Sequence, residues 1–118
     1  SSGNDTIWTV GNNDTIGAGG GAGLIGVIGN GNDVAGGGSA TIMESGGDFT
    51  FLDQAGASYN DTISGFDQAA GDRIHLAAGD TVASTRTING GQDTLITLSD
   101  HSTITLKGVA DINNSFFG

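Results

Sequence analysis

The chain opens SSGNDTIWTVGNNDTIG (residues 1–17), in which Asn-Asp-Thr-Ile occurs twice. Asp5 and Asp14 stand nine residues apart, as do Ile7 and Ile16. Cut in nines, residues 1–54 read SSGNDTIWT, VGNNDTIGA, GGGAGLIGV, IGNGNDVAG, GGSATIMES and GGDFTFLDQ. The seventh column is apolar throughout, at Ile7, Ile16, Ile25, Val34, Met43 and Leu52, and the second column holds Gly11, Gly20, Gly29, Gly38 and Gly47. Glycine and a large aliphatic in separate fixed columns mean a repeated turn followed by a repeated short strand.

A nine-residue period is poor for an amphipathic helix, and this density of glycine would melt one. A Thr-Ile-x strand and a Gly/Asn/Asp turn make half of a flattened coil, so two nonapeptides, 18 residues, complete one turn. Residues 18 apart then stack at the inter-strand spacing of about 4.8 Å. The expected fold is all-β: a right-handed parallel β-roll of 18-residue coils over residues 1–54, followed by a β-rich cap over 55–118. Ile7, Ile25 and Met43 are expected to face inward from one sheet, and Ile16, Val34 and Leu52 from the other. One buried aliphatic per nine residues is a thin core against the backbone entropy of ordering those nine. The roll therefore calls for a second source of stability.

Composition points to what that source is. The net charge is -10, from 13 acids against 3 bases. Such a chain is repelled by nucleic acid and by anionic lipid, and cations are its natural partners. Glu44 is the lone glutamate, and 23 residues are glycine while none is proline. Short Asp carboxylates beside permissive glycine backbone suit an oxygen-lined cation site. With no cysteine, disulfides and thiolate metal sites are excluded. No apolar run approaches the roughly 18 residues of a membrane span. The chain begins in mid-repeat, and the expectation is a piece of a longer protein with further domains upstream.

The stretch Gly3-Asn4-Asp5-Thr6-Ile7 resembles the nonapeptide G-G-x-G-x-D-x-U-x of RTX (repeats-in-toxin) proteins, which bind calcium in a parallel β-roll. The resemblance implies Ca²⁺ sites between stacked turns, each supplying backbone carbonyls and an Asp carboxylate. The best pair implied is the turn Gly11, Asn12, Asp14 against the turn Gly29, Asn30, Asn32, Asp33. Gly3 and Asp5 would stand over Gly21 and Gly23, where the carboxylate is lost. Asp48 would contribute from a later turn and Asp61 from the next Asp-Thr-Ile.

The stretch YNDTISGFDQAAGDRIHLAAGD (residues 59–80) resembles the segment that follows the roll in serralysin-type proteases and other RTX proteins, and GGQDTLITLSDHSTITLKGVADINNSFFG (residues 90–118) resembles the terminal hairpin. His101 stands in that hairpin's turn where glycine would suit better. Family membership implies export by type I secretion machinery to the cell exterior or surface. The tail Asp111 to Gly118, an acid followed by hydrophobics, is compatible with an export signal, and Phe116 and Phe117 also suit a cap core.

The Asn-Asp-Thr triplets at 4–6, 13–15 and 60–62 fit the glycosylation sequon, but a sequon has no reason to recur at nine with an aliphatic behind it. His75 and His101 lack zinc-ligand spacing, and neither HExxH, nor a G-x-S-x-G elbow, nor a phosphate loop occurs. No catalytic residue is assigned. The reading is a calcium-binding module that folds on calcium after export. The alternatives are a calcium-stabilised piece of a surface adhesin or surface layer, and an accessory domain of a larger extracellular enzyme.

Overall fold

Strands form where β-branched and aliphatic residues run between glycine and asparagine turns. The computed structural model describes residues 6–17, 23–35, 37–53, 59–109 and 117. The strands are β1 (Thr6–Val10), β2 (Thr15–Gly17), β3 (Leu24–Ile28), β4 (Asp33–Ala35), β5 (Thr41–Ser45), β6 (Thr50–Leu52), β7 (Asn60–Ser64), β8 (Arg73–His75), β9 (Val82–Ile88), β10 (Asp93–Leu98) and β11 (Thr103–Lys107). Two short 3-10 turns, Gln68–Ala70 and Asn89–Gly91, are the helical segments among the described residues. The chain is all-β, and no helix among the described residues is long and apolar enough to cross a membrane.

The first eight strands alternate between two sheets. One has the order β1-β3-β5-β7-β11-β10-β9 and the other β2-β4-β6-β8. Neighbours among β1 to β8 pair in parallel, and this pairing continues beyond residue 54 through β7 and β8. Strand β11 extends the larger sheet in parallel with β7, and then β10 and β9 close it as an antiparallel meander. Ile25, Val27, Ile42 and Ile63 from the larger sheet and Val34, Phe51 and Ile74 from the smaller one join Ile96, Leu98, Ile104 and Leu106 in one buried cluster.

Register follows the period at first and then departs from it. Ile7 stands over Ile25 and Ile16 over Val34, 18 residues apart. At the next pair of strands Ile25 stands beside Ile42 and Val34 beside Phe51, a step of 17. The cause is length: five residues (36–40) connect β4 to β5, where six (18–23) connect β2 to β3. A one-residue slip exchanges the two faces of a strand. Met43, expected inside, is therefore 45% exposed, and Ile42 is fully buried in its place. Phe51 likewise takes the inward position expected of Leu52.

The same slip sets Ala40 beside Gly23 in the larger sheet and Phe49 beside Asn32 in the smaller one. Asp61 continues the first of these columns and Asp72 the second, which also holds Asp14. Glycines allow the turns to stack: at Gly29 (φ +124°) and Gly46 (φ +129°) an added Cβ would collide with the carbonyl oxygens of Gly11 and Gly29 respectively.

Candidate metal centre

Three aspartates from distant parts of the chain converge. Asp53 directly follows β6, Asp80 lies in the β8–β9 loop, and Asp100 lies in the turn between β10 and β11. One carboxylate oxygen from each lies within 4.8 Å of the others. Backbone bonds hold the three segments together. Asp53 N–H donates to the His75 carbonyl at 2.9 Å and Ser99 N–H to the Thr81 carbonyl at 2.8 Å. Thr81 N–H donates to Ser99 Oγ at 3.0 Å.

The oxygens of the three groups differ in what they already accept. Asp53 is buried, takes the Tyr59 hydroxyl on Oδ1 at 2.5 Å, and takes Ala77 N–H on Oδ2 at 3.1 Å. Asp100 Oδ1 accepts Ser102 N–H at 3.0 Å. Asp80 Oδ2 and Asp100 Oδ2 are buried and have no donor. Two orphaned carboxylate oxygens beside a third carboxylate are costly unless a proton or a cation lies between them.

The titration behaviour reflects this crowding. The Asp80 carboxyl is raised to about 6, first by the hydrogen-bonding proximity of Asp53, then by burial and by the charges of Asp53 and Asp100. At Asp100 burial pushes upward but is outweighed by bonds from Ser102 and by the proton on Asp80, so that this carboxyl lies below its ordinary value. Burial and the bond to Asp53 raise the Tyr59 hydroxyl and keep it a donor. Hard oxygens around one point are the donor set of a cation such as Ca²⁺.

The turns singled out by the nine-residue period do stack. Asn32 Oδ1 accepts Asp14 N–H at 2.8 Å, and Asn32 Nδ2 donates to the Gly11 carbonyl at 3.0 Å. Asn12 accepts Asn30 N–H and Asn30 accepts Gly47 N–H, a ladder of side-chain amides down the turns. Asp14 Oδ2 takes the Thr9 hydroxyl at 2.6 Å. Asp33 sits in β4 between Thr15 and Thr50, and Gly23 accepts Thr41 N–H. Asp48 is exposed at a left-handed turn position, φ 52°, and its side chain lies against Gly71.

Asp61 is buried and accepts Gly37 N–H and Ala40 N–H, each at 2.9 Å. Its carboxyl is raised to about 6 by burial, which these two bonds partly oppose. Asp72, just before β8, acts in the same way, taking Phe49 N–H and Asp67 N–H. The structure thus brings Asp14, Asn32, Gly11, Asn12 and Asn30 together as hydrogen-bonded turns, and it sets Asp61 apart as a buried cap. Gly3, Asp5 and Gly21 lie outside the described residues.

None of Asp53, Asp80 and Asp100 belongs to the set drawn from the nine-residue period. They occur at irregular separations, and what they share in sequence is position just after a strand or in a turn. Such positions are common for Asp, so only the folded chain picks out these three. Compared with known proteins, the chain matches no family model and no curated relative.

Proposed function

We propose that this chain is a calcium-binding, calcium-stabilised module of the RTX type, acting outside the cell as a unit of a secreted or surface protein. The observation that carries the reading is the Asp53–Asp80–Asp100 cluster, with two buried carboxylate oxygens that lack donors. Its support is the alternation of parallel strands between two sheets in steps near 18 residues, which we read as coils of a closed roll with β9 to β11 as its cap. Calcium at the cluster would tie the end of β6 and the β8–β9 loop to the β10–β11 turn, fastening that cap to the stacked strands. A calcium-poor cytosol would keep the chain loose for export by type I secretion machinery, and millimolar calcium outside would fold it.

Calorimetric titration with calcium, and with magnesium as control, tests this. Wild type is expected to bind calcium in preference to magnesium, and Asp80→Asn/Asp100→Asn to lose at least one site. Equal heats from wild type and the double variant would remove the cluster from the account. The composition also allows an attachment role in a surface layer; calcium-dependent self-association in sedimentation experiments would favour that reading.

A further inference from the structure

A second acidic group lies between the two sheets, away from the three-aspartate cluster. Glu44 sits on the inward face of β5 in the larger sheet, opposite Val27 of β3, and is 6% exposed. Both of its carboxylate oxygens are buried without a donor. Its carboxyl lies within hydrogen-bonding reach of Asp72, the fully buried residue that precedes β8 of the smaller sheet. Each Asp72 oxygen already accepts a backbone N–H, from Phe49 at 2.9 Å and from Asp67 at 2.8 Å. Those bonds suit an ionised Asp72.

Two ionised carboxylates cannot share that space, and the charges that face Glu44 add to the repulsion. They are Asp72 and Asp67, both acidic. Arg73, the base adjacent to Asp72, directs its guanidinium to the backbone carbonyls of Gln68 and Asp72. Val27 of β3 and Gly65 after β7 are the uncharged neighbours of Glu44 within its own sheet. A proton on Glu44 relieves the repulsion and gives Asp72 a third donor.

We propose that Glu44 is held protonated and donates to the Asp72 carboxylate, so that one proton fastens the larger sheet to the smaller and its loss in alkaline solution loosens them. The proton resides on Glu44 because burial, then the bond to Asp72 and the charges of Asp72 and Asp67, raise its carboxyl from 4.5 to about 8. A folded-state value above the unfolded one gives stability that is full below about 4.5 and is lost as pH rises through 8. Asp61, raised to about 6, loses its share earlier. The interval from 6 to 8 belongs to Glu44.

Glu44 is the single glutamate of the chain, so glutamate labelled with ¹³C at the side-chain carboxyl gives one resonance to follow. In calcium-saturated, folded protein that resonance is expected to titrate near pH 8, and Asp72→Asn to lower its midpoint. In parallel, the melting temperature of wild type is expected to fall between pH 6 and 8, whereas Glu44→Gln, whose amide can donate to Asp72, loses that fall. Three results would overturn the proposal: a midpoint in the ordinary carboxyl range, the same melting profile in Glu44→Gln, or a midpoint that shifts as calcium is raised beyond saturation of the three-aspartate cluster, which would make the bridge a cation. The melting comparison decides the matter should Asp72→Asn fail to fold.

Discussion

At the residue scale the fold rests on which of two adjacent side chains faces inward. Ile42 and Met43 are neighbours on β5; one is fully buried and the other is 45% exposed. Ile42→Ala is expected to cost about 2–5 kcal/mol of unfolding free energy, and Met43→Ala about 0.5 kcal/mol or less, both from urea denaturation in the presence of calcium. The opposite ranking would restore the strict 18-residue register. This position also marks where the sequence stopped being legible. The aliphatic column and the glycine turns can be read by eye because each coil repeats them. The connecting stretch Gly36-Gly37-Gly38-Ser39-Ala40 hides its missing residue because glycine on glycine offers no landmark for alignment.

At the element scale, the terminal hairpin shows how a local departure is accommodated. His101 N–H donates to the Leu98 carbonyl and Leu98 N–H to the Ser102 carbonyl, closing a three-residue loop with His101 at φ 71°. That is the left-handed position in which such loops usually place glycine. His101→Gly is expected to stabilise the hairpin by about 1 kcal/mol, read as a raised midpoint in denaturant with unchanged slope. A loss of stability would mean that the imidazole contributes more than its backbone strain costs. The hairpin itself was legible in the resemblance of residues 90–118 to a terminal hairpin, and β10 and β11 do pair antiparallel. Its parallel pairing with β7 was not, because nothing in either strand's sequence names its partner.

At the scale of the whole molecule, a chain with net charge -10 assembles three aspartates at one point, buries Asp61 and Asp72 as backbone caps, and places Glu44 against Asp72. On the proposed function, protons and cations would compete for these groups. With Asp80 raised to about 6, calcium must displace a proton below that pH, so apparent calcium affinity is expected to fall as pH drops from 7 to 5. Titrations across that range, repeated with Asp80→Asn, check it; an affinity indifferent to pH would place the ion elsewhere. Burial brings Asp53, Asp80 and Asp100 together from separations with no period, which is why the centre lay beyond sequence reading.

Calcium-coupled stability is the central claim, and a linkage estimate sets its scale. A site with a Kd of ~10 µM in ~1 mM calcium adds roughly 2.7 kcal/mol, a large share of a small domain's stability. The most direct measurement is far-UV circular dichroism of the chain in EDTA, titrated with calcium and separately with magnesium. The account predicts β-structure gained, or thermal stability sharply raised, by calcium and not by magnesium. A chain fully folded in EDTA, with a melting temperature that calcium leaves unchanged, would contradict it.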